Sequence, residues 1–127
     1  MRRIVINMQN SLFSNAIADT LRRSGNELEP YIVASPDKVV DDCKWIIPYA
    51  VLMEVTGYSP WKMEERLKIR DAVKGKNPEC KVVLIVDENA ERAVAKQIKQ
   101  AKKDGIIDQF IYGSISATYL ADIVDSL

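Results

Sequence analysis

The sequence predicts a doubly wound α/β protein: a parallel sheet of five strands alternating with five helices, (βα)5, in strand order 2-1-3-4-5. Three observations carry this prediction. Short apolar runs alternate with amphipathic runs along the whole chain. Its 127 residues suit one domain, taken here as 1–127, and a chain of this size buries enough apolar surface to fold without disulfides or metal. The composition, 47% hydrophobic and 28% charged, is that of a globular protein.

Each element has its own local signal. Ile4-Val5-Ile6, extending to about Met8, reads as the first strand. The helix after it runs from about Leu12 to Arg23, with Ser11 as its cap, Phe13, Ile17 and Leu21 on one face and Gly25 as its stop. Tyr31 to Ala34 is the second strand. Ser35-Pro36-Asp37 then supplies a cap, a Pro at the first helical position and a first-turn acid, before a face of Val39, Val40 and Cys43. Tyr49 to Val55 is the third strand, apolar until Glu54, as in a strand covered on both faces. Ser59-Pro60 repeats the cap-then-Pro signal. The third helix runs to about Lys74, with Gly75 as its end and a poorly periodic face of Met63, Leu67, Ile69 and Val73. Val82 to Val86 is the strongest strand. Asp87-Glu88-Asn89 breaks it and caps a fourth helix with Ala90, Val94, Ile98 and Ala101 as its stripe and Gly105 as its end. Phe110-Ile111-Tyr112 is the fifth strand. Ser116 caps a last helix whose Leu120, Ile123, Val124 and Leu127 sit at i, i+3, i+4, i+7.

Composition excludes several chemistries. There is no histidine, which removes the Ser-His-Asp triad, the Cys-His dyad and His-ligated zinc. Two cysteines, Cys43 and Cys80, are too few for a disulfide framework or an all-cysteine zinc site, and point to a reducing cytoplasm. Lys+Arg and Asp+Glu are equal at 18 each, so no global field favours nucleic acid. The longest apolar run, Trp45 to Met53, contains Pro48 and is nine residues, against about 20 for a bilayer span. No membrane partner and no signal peptide are expected.

In a doubly wound sheet, ligands bind at the C-terminal strand ends, so the loops after the first, third and fourth strands matter most. The first loop, Met8 to Ser14, has no Gly, and the dinucleotide and P-loop signatures are absent. Carboxylates remain. Glu54 ends the third strand and Asp87 the fourth, and both are expected at the C-terminal edge. There they could share a cation or act as an acid/base pair. An acid ending a buried apolar strand needs a partner, which singles out Glu54. Equally, Asp87 reads as the start of a helix cap.

Three segments resemble the receiver domains of bacterial two-component response regulators. Arg3-Ile4-Val5-Ile6-Asn7-Met8-Gln9-Asn10 resembles the family's Lys-Ile-Leu-Ile-Val-Asp-Asp-Glu. Pro48-Tyr49-Ala50-Val51-Leu52-Met53-Glu54-Val55 resembles Pro-Asp-Leu-Val-Leu-Leu-Asp-Ile. Gly105-Ile106-Ile107-Asp108-Gln109-Phe110-Ile111-Tyr112-Gly113-Ser114 resembles Gly-Ala-Asp-Asp-Tyr-Leu-Val-Lys-Pro-Phe, without gaps. The resemblance covers essentially the whole chain and implies the CheY-like, flavodoxin-like fold.

At the functional positions the sequence departs from the family. The resemblance places the phosphoacceptor Asp on Glu54, the two metal-binding acids on Met8 and Gln9, and the family Lys on Tyr112. The switch aromatic falls on Gln109, and the Ser/Thr on Val86 or Asp87. Aspartyl phosphorylation needs Mg²⁺, a hard cation that takes oxygen ligands. Met8 offers none and Gln9 only an amide oxygen, so no cofactor and no Mg²⁺ are expected. The resulting expectation is a degenerate receiver, not an enzyme, that acts by protein contact without phosphorylation, with Glu54 in a permanent imitation of the modified acid. It would act as one domain with no DNA-binding module after it. Its partner face would be the fourth helix, fifth strand and fifth helix, meeting another protein or a second copy. Lys96, Lys99 and Lys103 form a basic stripe there at i, i+3, i+7, and Tyr58 and Trp61 form a second candidate patch. Two other readings stay open: a flavodoxin-like domain for a small ligand or divalent cation, and a receiver still phosphorylated on Glu54 or Asp87.

Overall fold

The computed structural model describes residues 1–127, the Ala117 side chain excepted. Its elements are β1 (Arg2–Asn7), α1 (Ser11–Arg23), β2 (Leu28–Ile32), α2 (Val39–Ile46), β3 (Ala50–Glu54), α3 (Met63–Lys76), β4 (Lys81–Val86), α4 (Arg92–Lys103), β5 (Gln109–Tyr112) and α5 (Ala117–Asp125). The strands form one parallel sheet in the order β2-β1-β3-β4-β5, as expected.

Both faces of the sheet are covered, which is why β3 and β4 read as unbroken apolar runs. On one face Val5, Val51, Met53, Val82 and Leu84 meet Val39 and Cys43 of α2, Val73 of α3 and Ile98 of α4. On the other face Ile4, Ile6, Leu52, Val83 and Ile85 meet Ile17 and Leu21 of α1 and Leu120 and Val124 of α5. The alternation of side chains along a strand makes this division. β1 therefore sends Val5 one way and Ile4 and Ile6 the other.

Several expected boundaries are corrected. β2 starts at Leu28, not Tyr31, and runs through Pro30. Pro reads as a strand breaker, but β2 is an edge strand, where a missing N–H is tolerated. Asn10, not Ser11, caps α1: its side chain accepts the Phe13 N–H at 3.0 Å. Ser35-Pro36-Asp37 opens a single 3₁₀ turn, Pro36–Lys38, ahead of α2. Ser59-Pro60 is no cap; it lies in the loop after β3, joined by a cis peptide bond. α3 starts instead at Met63, where the Glu65 carboxylate accepts the Lys62 N–H at 3.2 Å. Gly75 lies inside α3, and the helix stops at the Asn77-Pro78 pair, since a residue before Pro disfavours the helical conformation. Ala90 is exposed and outside α4, whose buried residues are Ala95, Ile98 and Ala101. Gly25 and Gly105 do end α1 and α4, in the left-handed conformation at φ +78° and +75°.

Candidate functional site

The C-terminal ends of β1, β3, β4 and β5 open onto one cleft of about 330 Å³, lined by Met8, Asn10, Phe13, Glu54, Ile85, Asp87, Glu88, Asn89, Gly113 and Ser114. The parallel register sets this up: Ile6 pairs with Leu52 and Asn7 with Met53, so residue 8 and Glu54 leave the sheet side by side. Two carboxylates expected at this edge, Glu54 and Asp87, do line one cleft.

Glu54 is half-buried at the end of β3, and its Oε1 accepts the Gln9 N–H at 2.7 Å. Its carboxylate therefore has the partner that a strand-end acid needs. Met8 is buried and lines the cleft; Gln9 is exposed and holds Glu54 through its backbone rather than its side chain. Asp87 is exposed, and its Oδ1 accepts the N–H groups of Asn89 and Ala90 at 3.0 and 3.1 Å. It organises the turn before α4 without capping that helix. Val86 is buried as the last residue of β4. The Glu88 Oε2 beside it is shielded from solvent without a hydrogen-bond partner.

Tyr112, at the end of β5, does not line the cleft. Its ring lies 5.4 Å from that of Phe110, centre to centre, with the two planes tilted by 59°. The Gln109 amide oxygen accepts the Phe110 N–H at 3.0 Å. Lys96, Lys99 and Lys103 are all exposed on α4. The two candidate aromatics separate. Tyr58 is exposed, whereas Trp61 is buried and belongs to the interior.

What covers Trp61 is the residue that sequence reasoning missed. Arg66 of α3 is completely buried. Its Nε donates to the Glu54 carbonyl at 2.7 Å, its Nη1 to the Asn7 Oδ1 at 2.6 Å and its Nη2 to the Asn7 carbonyl at 3.3 Å. The indole of Trp61 lies against the guanidinium, 4.7 Å from ring centre to Cζ. Asn7 is also fully buried, and its Nδ2 donates to the Val33 carbonyl at 2.6 Å, which aims its oxygen at Arg66. Desolvation pushes the guanidinium down to about 10, with Glu54 and Glu65 favouring the charged form. It remains a cation at neutral pH. A signal existed: Arg66 is three residues after Met63 and seven before Val73, on the apolar stripe itself, which is why α3 looked poorly periodic.

Cys43 and Cys80 are buried free thiols on the α2 side of the sheet. Burial pushes them up to about 11 and about 12, so neither offers a thiolate near neutral pH. Among the described residues, no three His, Cys, Asp or Glu side chains are grouped so as to hold a metal ion. A wider groove of about 610 Å³ lies between α3 and α4, lined by Met63, Leu67, Val94 and Ala101 among others and by neither Glu54 nor Asp87. No helix of the described residues is long and apolar enough to cross a membrane.

No family model and no curated protein matches the chain. Solved structures do. A response regulator from Thermotoga maritima superposes with a TM-score of 0.80 at 13% identity, covering 99% of this chain and 96% of that one. A CheY-like response regulator receiver domain protein from Methanospirillum hungatei gives 0.78 at 12% identity, covering 99% and 92%. The Thermotoga maritima response regulator TrrA, solved in complex with Mg²⁺ and BeF, gives 0.75 at 12% identity, covering 99% and 98%. With five parallel strands in the order 2-1-3-4-5 and helices on both faces, the chain has the fold of the response regulator receiver domains.

Proposed function

We propose that this protein is a receiver-like regulatory domain that works by protein contact without phosphorylation, and that it is neither an enzyme nor dependent on Mg²⁺. One observation carries the reading. At the strand ends, where the resemblance expects two metal-binding acids and a Lys, the cleft is lined by the buried Met8 and by neither Gln9 nor Tyr112, and Gln9 reaches Glu54 only through its backbone N–H. Mg²⁺ requires near-octahedral oxygen ligands and is usually held through one or two carboxylates. Glu54 is the acid at the phosphoacceptor-equivalent position, and it is already engaged by the Gln9 N–H. The residues present do not suit Mg²⁺.

Glu54 then serves as a fixed negative charge at the edge of the sheet. Its carboxylate links the β1–α1 loop to the end of β3 through Gln9, without a covalent modification to turn on or off. The partner surface we favour is α4, β5 and α5. Its exposed Lys96, Lys99 and Lys103 suit an acidic protein surface, and Tyr112 and Tyr119 add exposed aromatic area. A cytoplasmic location fits the free thiols.

Intact mass spectrometry after incubation with acetyl phosphate and Mg²⁺ tests the reading, with Glu54→Gln and Asp87→Asn run beside the wild type. The expected result is no phosphoryl-sized mass increase in any of the three. An adduct on the wild type that one of the variants loses would overturn the reading and identify the acceptor.

A further inference from the structure

We propose that Arg66 is the resident cation of this site: its guanidinium, delivered from α3, ties the C-terminal ends of β1 and β3 together and bars a divalent ion from settling between them. The proposal deepens the preceding reading and rests on it for the assignment of positions 8, 9 and 54. It does not rest on whether the chain is phosphorylated.

The contacts of Arg66 are those of a cation in an oxygen cage. All three acceptors, the Glu54 carbonyl, the Asn7 carbonyl and the Asn7 Oδ1, are oxygens at the tips of adjacent strands. None is a carboxylate. A fully buried charge without a carboxylate in contact is costly unless many dipoles and nearby charges favour it. Here three oxygens, the π-face of Trp61 and the charges of Glu54 and Glu65 do so together. Asn7 is built for the purpose. It is buried, it is the last residue of β1, and the Val33 carbonyl holds its amide with the oxygen toward Arg66. In the strand register it sits beside Met53, one residue before Glu54.

The same arrangement works against a metal ion in two ways. Main-chain oxygens at the strand tips, the hard neutral ligands a divalent cation would need, are consumed by N–H donors. A permanent positive charge is also fixed, out of water, on the main chain of Glu54, whose carboxylate lines the cleft, and its repulsion of a second cation there is weakly screened. Trp61 and the loop from Thr56 to Trp61 seal the position. The Thr56 N–H donates to the Trp61 carbonyl at 3.0 Å and the Trp61 N–H to the Tyr58 carbonyl at 2.9 Å. Exchange of Arg66 for a hydrated ion would require that loop to open.

Mn²⁺ is the probe, titrated into the full chain and followed by electron paramagnetic resonance of the free ion. Three forms are compared: the wild type, the Met8→Asp/Gln9→Asp double variant, and that double variant carrying Arg66→Met as well. The proposal expects no saturable Mn²⁺ binding in the first two up to the millimolar range. It expects binding at least ~10-fold tighter once Arg66 is removed. Equal affinity of the double and triple variants would overturn it, as would saturable binding by the wild type or no binding by a folded triple variant. If the triple variant fails to fold, as judged by circular dichroism, the double variant decides alone. Sub-millimolar binding with Arg66 present overturns the proposal, and its absence supports it. A phosphoryl adduct in the mass experiment would sink the preceding reading and leave this test intact, because Mn²⁺ affinity is read without a phosphodonor.

Discussion

Two charged residues take opposite routes to being tolerated away from water. Arg66 is wholly enclosed and relies on carbonyl and amide dipoles, with carboxylates only at a distance. Asp108, at the turn before β5, is partly enclosed and relies on direct partners. Its Oδ2 lies 2.9 Å from the Lys74 ammonium and accepts the Val82 N–H at 2.8 Å. Burial pushes the Asp108 carboxyl up, but the Lys74 contact and the Val82 N–H outweigh it and hold the group below the usual carboxylate range. A carboxyl whose folded pKa is depressed stabilises the fold at pH values above its unfolded pKa, near 3.9. That contribution is lost as pH falls through the lower, folded value. Asp108→Asn is therefore expected to lower the urea midpoint at neutral pH, with the gap to the wild type closing as the pH drops below about 4. A gap that stayed constant across that range would show that Asp108 acts through packing or neutral hydrogen bonds rather than through its charge.

At the scale of elements, the helix ends show how local chemistry and tertiary demand divide. α1 and α4 end at glycines in the left-handed conformation. α2 reaches the same geometry without one: Ile47, just past its end, has φ +51° and ψ +64°, and its N–H donates to the Cys43 carbonyl at 3.0 Å. A β-branched residue is strained there, and Ile47 is 66% exposed, so little burial offsets the strain. The chain turns sharply at this point because Pro48 and Tyr49 must bring β3 back beside β1, where the Tyr49 N–H donates to the Arg3 carbonyl at 2.8 Å. Ile47→Gly keeps the turn and removes the strain. It is expected to raise stability by about 1 kcal/mol, less the extra entropy of glycine in the unfolded chain, as read from denaturant midpoints at constant slope. A loss of stability would mean that the Ile47 side chain contributes packing that outweighs its backbone cost.

Across the whole molecule, one sheet separates two apolar layers, and every interior strand contributes to both. Neither layer can melt while the other stays folded, because the strands that would lose their cover on one face are the floor of the other. Leu21 of α1 and Ile98 of α4 are fully buried in opposite layers. Each truncation to Ala is expected to cost about 2–5 kcal/mol, and the double variant to cost close to the sum, since the sites share no contacts. Unfolding should remain a single transition in all three variants, by far-UV circular dichroism and by tryptophan fluorescence alike. Two separated transitions would show that the layers are independent units. The chain ends are joined to the same sheet: Arg2 pairs with Asp125, and the Tyr49 hydroxyl donates to the Leu127 carbonyl. α5 is thereby fastened over the β1–β3 side of the sheet.

Most of this architecture is legible in the order of residues. The alternation of apolar and amphipathic runs names five strands, five helices and their winding, because burial on both sheet faces demands that pattern whatever the partners are. Gly25 and Gly105 mark helix ends, since only the backbone conformation is at stake there. Glu54 and Asp87 could be placed at one edge because strand ends in a parallel sheet share an edge by construction. Other features depended on which chains of residues meet in space. Pro30 is harmless only because β2 is at the edge. Asn10 displaces Ser11 as a cap because of where the strand releases the chain. Above all, Arg66 reads as a solvated helix charge until Asn7, the end of β3 and Trp61 are seen to close around it. Periodicity ranks residues by their own affinity for water. A buried cation is decided by the oxygens and the ring that surround it, and the decisive one, Asn7, lies 59 residues away in the chain, on β1.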